Sequence, residues 1–215
     1  MKYIKVPMDI EKRSFEIITE ELGEKNKLFT EEQAPVIKRL VHTTADFEYA
    51  DITEFSEGVI EKAMEALKSG SKIYCDTSMI VNGLSKKNLE RFGCVPYSMV
   101  SDPEVAKVAK ERGVTRSMVG MEKAAKDPET KIYLIGNAPT ALFTLKELVE
   151  KGEVEKPALV IGVPVGFVGA AESKEALKEM KDIPYIITRG RKGGSTVAVA
   201  ALHGILYQMY DRKDF

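Results

Sequence analysis

His42 is the residue of this chain best suited to proton transfer. The chain contains only two histidines, and His42 closes the run RLVH at residues 39–42, near the predicted end of a helix. Histidine gains or loses a proton near neutral pH more readily than any other side chain, and the negative end of a helix dipole favours its charged form. The position fits a general acid. A histidine that only caps the last helical carbonyls would show the same pattern.

Three glycine-containing loops form a second group of candidates. Predicted strands at 132–135, 158–163 and 185–188 lead into loops at 136–140, 164–170 and 189–195. Each loop precedes a predicted helix, whose free N–H groups attract anions. The last loop adds three cations, and the candidate binding residues are Asn137, Gly166, Arg189, Arg191 and Lys192. Any one loop alone reads as an ordinary strand-to-helix turn, but three on one edge predict a site for an extended anionic ligand.

Arg116 is a further candidate, because it opens a predicted helix, where the dipole disfavours a cation. An anionic ligand would explain it, and so would a surface salt bridge. The second histidine, His203, lies in an apolar helical segment and is expected to pack in the core. Asp46, Asp76 and Asp102 are scattered and form no catalytic pair, and no residues are spaced as metal ligands. We therefore expect no metal site in the protein.

Composition and charge exclude several classes of protein. The 32 basic and 33 acidic residues give a net charge of −1, which does not suggest a nucleic-acid-coating protein. No apolar run approaches the ~20 residues of a membrane helix, and residues 1–9 have no signal-peptide pattern. Cys75 and Cys94 match no zinc or CxxC pattern, as expected of buried thiols in a reducing compartment. We expect a soluble cytoplasmic protein that contacts neither nucleic acid nor membrane.

The order of elements indicates the fold. Helical periodicity dominates residues 9–22, 30–41 and 56–68, and a Thr-x-x-Gln capping box precedes the second segment. From residue 72, strands at 73–75, 95–100, 132–135, 158–163 and 185–188 alternate with helices at 103–112, 115–126, 139–150, 172–180 and 195–210. This alternation predicts a three-layer α/β/α fold with a mostly parallel central sheet. One α/β domain is expected over residues 1–215, with a helical part (1–70) packed on the sheet (71–215).

The chain closely resembles the precorrin-8X methylmutase family, including its cobalt-precorrin-8 form. The resemblance spans nearly the whole sequence. Besides RLVH it rests on DP at 102–103, GVTRS at 113–117, GNAPTALF at 136–143, GVPVGFVGAAESK at 162–174 and RGRKGGS at 189–195. GNAPTALF and PVGFVGAAESK are the most specific of these motifs.

The resemblance implies an isomerase of vitamin B12 biosynthesis. The family moves a methyl group within ring C of a corrin precursor, giving hydrogenobyrinic acid, or cobyrinic acid when cobalt is already inserted, and consumes no cofactor. It further implies that His42 donates the proton, that Ser14 and Arg116 lie in the substrate site, and that the protein is a homodimer with sites near the subunit interface. The physical reading agrees, since the many carboxylates of a corrinoid suit cations and helix N-termini.

Two other functions remain as alternatives. A corrinoid or tetrapyrrole carrier would bind the same ligand without converting it. A nucleotide-dependent enzyme is disfavoured, because the glycines of 162–169 do not match GxGxxG and the run 191–196 lacks the order of a P-loop. The sequence around His42 resembles more closely the branch of the pathway in which cobalt is inserted first.

Overall fold

The computed structural model describes residues 5–180 and 182–210. The outermost parts of the predicted domain, residues 1–4 and 211–215, and residue 181 lie outside the described residues. The described helices are α1 (Pro7–Leu22), α2 (Gln33–Thr44), α3 (Tyr49–Ile52), α4 (Val59–Lys68), α5 (Ser78–Gly83), α6 (Lys86–Glu90), α7 (Pro103–Arg112), α8 (Arg116–Ala125), α9 (Pro139–Glu150), α10 (Ala170–Lys178) and α11 (Ser195–Leu206). A 3-10 helix, Gly23–Leu28, follows α1.

Six strands form one sheet. They are β1 (Thr53–Phe55), β2 (Lys72–Cys75), β3 (Val95–Tyr97), β4 (Thr130–Ile135), β5 (Leu159–Gly162) and β6 (Tyr185–Thr188). The order across the sheet is β1-β6-β5-β4-β2-β3, and only β1 runs antiparallel to its neighbour. Because β3 and β4 lie on opposite sides of β2, the strand order reverses between β2 and β4. Ligands of open α/β sheets bind beyond the carboxyl ends of the strands at such a point.

Helices cover both faces of the sheet, as predicted. Alternate residues of β4 point to opposite sides: Ile132 and Leu134 join one hydrophobic core, and Tyr133 and Ile135 join the other. The first core contains buried residues of α1, α2, α4 and α11, and the second contains those of α8, α9 and α10. The helices of the first 70 residues therefore share a core with the sheet, but this part of the chain is not wholly helical, because it also supplies the edge strand β1. The prediction of a three-layer, mostly parallel α/β fold is confirmed.

Helices α2 and α11 approach each other closely, which brings their functional residues together. Gly204 of α11 permits this contact, since a Cβ atom there would lie 2.6 Å from the Cα atom of Val36. The predicted capping box before α2 is present: Thr30 and Gln33 each donate a backbone N–H to the other's side-chain oxygen, both at 3.3 Å. Asp102 caps α7 by accepting from the amides of Glu104 and Val105, as predicted.

Several short elements escaped sequence reasoning. Strand β1 and helices α3, α5 and α6 have three to six residues each, too few for a periodic pattern. Tyr49, three residues after Asp46, is buried and begins α3. The strand expected at 95–100 ends at Tyr97, and the helix expected to reach residue 210 ends at Leu206. No helix in the described part of the chain is long and apolar enough to span a bilayer.

Candidate active site

A cavity of about 270 Å³ lies between α2, α5 and α11. Its wall includes Arg39, His42 and Thr43 of α2, Met79 and Gly83 of α5, and Ser195, His203 and Tyr207 from α11 and the residue after it. Both histidines of the chain therefore line one cavity. The sequence predicted a functional role only for the first of them.

His42 lies in the last turn of α2 and remains accessible from the cavity. Its imidazole stacks on the ring of Phe15 in α1, with 5.2 Å between ring centroids and 11° between planes. Partial burial by such neighbours lowers the pKa of His42 below its ordinary 6.5, Arg39 lowers it further, and Glu11 opposes them. The surroundings of the ring thus oppose the charged form that the end of the helix is expected to favour.

His203 stands in the same cavity with a different hydrogen-bonding role. Its Nε2 accepts the backbone N–H of Ser85 at 3.0 Å, and its ring stacks on Tyr207 at 4.8 Å. A nitrogen that accepts a hydrogen bond holds no proton, so this contact favours neutral imidazole. His203 is half-buried at the cavity wall, and the expectation that it only packs in the core is incomplete. Of the two histidines, His42 is the better placed to release a proton into the cavity.

The three predicted loops lie on one edge of the sheet. We call residues 136–140, 164–170 and 189–195 the crest. Backbone hydrogen bonds join them directly: Val165 donates to Gly136 at 3.2 Å, Gly166 to Arg191 at 3.1 Å, and Gly194 to Val163, just before the second loop, at 2.9 Å. The predicted arrangement is confirmed. Because the loops share hydrogen bonds, the crest behaves as one unit.

A buried carboxylate, Asp76, holds the first loop of the crest. It lies just after β2, at the point where strand order reverses, and is 2% exposed. It accepts the backbone N–H groups of Gly136, Asn137 and Ala138 at 3.0, 2.8 and 2.7 Å. Burial raises the pKa of Asp76 above its ordinary value, although these three bonds oppose the rise. The N–H groups expected to attract a ligand anion at this loop are therefore occupied by the protein's own carboxylate.

The cations of the crest differ in their partners. Lys192 pairs with Asp46 and, at 2.7 Å, with Glu48, both in the turn after α2, and the pKa of Lys192 is raised as a result. Arg189 pairs with Glu54 at 2.9 Å and donates to the carbonyl of Asp51. The structure thus engages two of the three predicted cations internally.

Arg191 makes a different contact. Its guanidinium lies 5.2 Å from the ring centroid of Phe167, an exposed residue of the second loop. Gly166 of that loop has a φ of 153°, which favours glycine. The side chain of Asn137 is exposed at the first loop. Of the residues predicted to bind substrate from the crest, Asn137 and Arg191 present their side chains outward.

The remaining predicted residues lie near the site without lining the cavity. Ser14 precedes the residue that stacks on His42, and its hydroxyl donates to the carbonyl of Ile10 at 2.9 Å. Arg116 begins α8 and donates to the carbonyl of Val100 at 3.2 Å. The neighbouring Thr115 lies 3.1 Å from Thr140 of the crest, hydroxyl to hydroxyl. Arg116 is therefore placed beside the crest, and Ser14 beside the cavity.

Sequence reasoning missed three residues of this region. Arg39 lines the cavity, Asp76 anchors the crest, and the side chain of Lys174 is wholly buried below it. The Nζ of Lys174 donates to the carbonyl of Lys192 at 2.9 Å, and burial lowers its pKa to about 8. Arg39 and Lys174 both stand inside specific motifs, which offered a signal. Asp76 had the weaker one of a charge directly after a buried strand.

Comparison with known proteins identifies the family. Residues 9–208 match the family model of precorrin-8X methylmutase. The chain is 44% identical to a cobalt-precorrin-8 methylmutase of Leptospira interrogans, over 92% of each chain, and 46% identical to one of Priestia megaterium, over 93% of this chain and 87% of that one. A precorrin-8X methylmutase structure from Thermus thermophilus superposes with a TM-score of 0.85 at 39% identity, covering 96% of this chain and all of the other. The chain belongs to the precorrin-8X methylmutase family.

Proposed function

We propose that this protein catalyses the methyl migration on ring C of a precorrin-8 macrocycle in cobalamin biosynthesis, with His42 as proton donor. The observation that carries the proposal is the placement of His42. It faces a cavity that adjoins the crest, in a chain whose family model covers residues 9–208. Residue Ser195 belongs to both the cavity wall and the crest, so the two form one continuous site.

The chemistry assigned to His42 is a reversible proton transfer. Protonation makes the conjugated macrocycle electron-poor, which eases the shift of the methyl group with its bonding electrons to the neighbouring ring carbon. Substrate and product are isomers, so the macrocycle returns one proton after the shift, and His42 is restored. General acid catalysis of this kind contributes typically about 10²–10⁴-fold. The protein supplies the remainder by holding the macrocycle in one orientation.

Substrate carboxylates have partners at the crest. Among the described residues, Arg191 contacts the ring of Phe167 and Arg116 a backbone carbonyl, and neither forms an ion pair. We propose that both bind acetate or propionate groups. Asn137 and Gly166 would add contacts, and Lys192 and Arg189 would hold the shape of the loop that carries Arg191. Ser14 would contact the substrate from α1. A carboxylate close to His42 would also favour its charged form, so binding readies the acid.

The natural substrate is proposed to carry cobalt, because the two relatives described above are named cobalt-precorrin-8 methylmutases. Cobalt then belongs to the substrate, and we propose that the protein itself needs no cofactor. Paired assays with cobalt-loaded and metal-free precorrin-8 decide between the two forms. Faster conversion of the metal-free form would overturn the choice.

The proposal is tested by single-turnover conversion with His42→Ala. The variant should retain its fold, measured by far-UV circular dichroism, and should bind the macrocycle, measured by absorbance. Conversion at full occupancy should fall by about 10²–10⁴-fold. Near wild-type conversion would show that His42 only caps α2. Tight binding by the wild type without any conversion would instead indicate a carrier.

A matched variant separates the two histidines of the cavity. His203→Gln keeps a side-chain oxygen that can accept the N–H of Ser85. If His42 donates the proton, this variant should lose far less activity than His42→Ala. The opposite order of losses would move the proton transfer to His203.

The pH dependence follows from the surroundings of His42. Burial and Arg39 hold the pKa of His42 below its ordinary 6.5, and the charged form of His42 becomes scarcer as the pH rises through that pKa. We therefore expect kcat/KM to fall as the pH rises, with the midpoint of the fall below pH 6.5. The bound carboxylates should move the corresponding fall in kcat to a higher pH. A kcat/KM that rises across this range would exclude His42 as the acid.

We further propose a homodimer in the cytoplasm. A cavity of about 270 Å³ is small even for a drug-sized ligand, for which pockets span roughly 300–1,000 Å³, so a corrinoid extends beyond it, and we propose that it does so over the crest. The exposed apolar residues Phe167 and Val168 stand there, 80% and 91% exposed, and would be covered by a partner subunit. Light scattering that gives the mass of a single chain at micromolar concentration would contradict the dimer.

The two cysteines of the chain bear on the compartment. Cys75 and Cys94 are buried free thiols, which suits a reducing compartment such as the cytoplasm.

A further inference from the structure

Arg39 stands at the centre of a continuous stack that joins the two histidines of the cavity. Its Cζ lies 4.6 Å from the ring centroid of Phe15 and 5.1 Å from that of Tyr207. Phe15 in turn stacks on His42 at 5.2 Å, and Tyr207 on His203 at 4.8 Å. We call these five residues the stacked series. One guanidinium thus touches the aromatic neighbour of each histidine.

An ion pair fixes the guanidinium in this position. The Nη1 of Arg39 lies 2.6 Å from the Oε1 of Glu11 in α1, and the two side chains are only 14% and 27% exposed. Most other ion pairs of the described residues are more exposed, and exposed pairs contribute little. A planar guanidinium can stack on rings and bond a carboxylate simultaneously, which an ammonium does not reproduce. The pair and the stack together attach α1 to α2 and α11.

The attachment matters because α1 is otherwise weakly held. Only Ile18 and Leu22 of this helix are buried, both in its last two turns. Residues 7–17 of this helix, which include Glu11 and Phe15, contain no buried residue. The contact of Phe15 with His42 therefore depends on the series itself. Releasing Arg39 would let the covering ring leave the imidazole.

We propose that Arg39 is a positioning residue for the proton donor: it seats Phe15 of α1 on the His42 ring and sets a fixed positive charge beside it. The inference rests on the proposed function. The charged and titratable groups that face His42 are Arg39 on its own helix, Glu11 on α1, and His203 across the cavity on α11. The positive charge of Arg39 and its contact with Phe15 act separately on His42, and different substitutions remove them.

The test compares Arg39→Met, Arg39→Lys and Phe15→Leu with the exposed control Arg13→Met, which breaks a surface pair with Glu16 on the same helix α1. The first readout is the titration of His42 in the unliganded protein by NMR of the histidine ring protons. Only two histidines are present, so His42→Ala assigns the signals. The second readout is kcat and KM against pH for precorrin-8 conversion.

Arg39→Met should raise the titration midpoint of His42, because it removes both the charge and the desolvating ring. Arg39→Lys and Phe15→Leu retain a positive charge and should raise it less. All three should lower kcat by about tenfold to a hundredfold, since misplacing a group by ~1 Å costs up to ~10²-fold. Arg13→Met should leave both readouts unchanged.

The inference is overturned if His42 titrates identically in wild type and in all three variants, or if kcat in Arg39→Lys and Phe15→Leu equals that of the control. Should Arg39→Met fail to fold, the other two variants still decide. An inactive wild type whose His42 titration depends on Arg39 would count against the proposed function alone. An active wild type without that dependence would count against the role of Arg39 alone.

Discussion

Replacing Asp76 by asparagine should destabilise the protein strongly although the two side chains have nearly the same shape. The Oδ1 of Asp76 accepts the N–H of Gly136, and Oδ2 accepts those of Asn137 and Ala138. An amide has one oxygen and one NH₂ group. In its better orientation the oxygen keeps the two bonds of Oδ2, and the NH₂ group opposes the N–H of Gly136.

The size of the effect follows from this loss. A buried donor left without a partner costs about 1–3 kcal/mol, and bonds to a neutral acceptor are weaker than bonds to a charged one. We expect Asp76→Asn to lower the free energy of unfolding by about 2–5 kcal/mol. At roughly 2–4 °C per kcal/mol for a chain of this size, the melting temperature should fall by about 4–20 °C. The displaced loop should also raise KM.

Asp102→Asn is the matched control. Both bonds that Asp102 accepts at the start of α7 go to its Oδ1, so one amide oxygen replaces them, and asparagine caps helices as well as aspartate does. Urea unfolding at pH 7, followed by far-UV circular dichroism, should place this variant within about 0.5 kcal/mol of wild type. Equal losses in the two variants would refute the assignment of Asp76 as the anchor of the crest.

Three further outcomes follow from neighbouring features. Lys174→Met should differ most from wild type in the pH dependence of stability, because burial lowers the pKa of Lys174 to about 8 from 10.5. Between these two pH values the unfolded wild-type chain binds more protons than the folded one, so the stability of the wild type rises with pH relative to the variant. Parallel curves of stability against pH for the two proteins would contradict this. Arg116→Ala should raise KM or the dissociation constant by about tenfold to a hundredfold with little change in kcat, as expected for loss of a charge-assisted bond of roughly 1.5–3 kcal/mol, and unchanged affinity in a binding titration would return Arg116 to a surface role. Gly204→Ala should cost about 1–3 kcal/mol by forcing α11 away from α2, measured by urea unfolding, and a wild-type midpoint would mean that the helices tolerate the added methyl.

The sequence predicted the elements that are long and periodic. It predicts helices at 103–112 and 139–150 with the bounds that the structure has, because a proline or an N-cap marks each start. The shared edge of the crest followed from parallel strands alone. Strand β1 could not be found, since its three residues pair with β6 across a long sequence separation.

The electrostatics of the site were predicted less well, for a physical reason. A run of cations at 189–192 looks available for ligands in sequence, but availability depends on acids that only the fold brings near. Asp46 and Glu48 lie more than 140 residues from Lys192 along the chain. The pKa of His42 likewise depends on Phe15 and Arg39, whose contacts the helical pattern does not reveal.

The backbone bonds between the crest loops bear on how this surface changes over evolutionary time. Gly136, Gly166 and Gly194 join neighbouring loops through main-chain atoms, and a Cβ on Gly136 would lie 2.8 Å from Ser195. Inserting or deleting a residue in one loop would break its register with the others. Side chains that point outward, such as that of Arg191, can be exchanged without disturbing that register. A change of loop length should therefore disturb the crest more than a substitution of an outward side chain does.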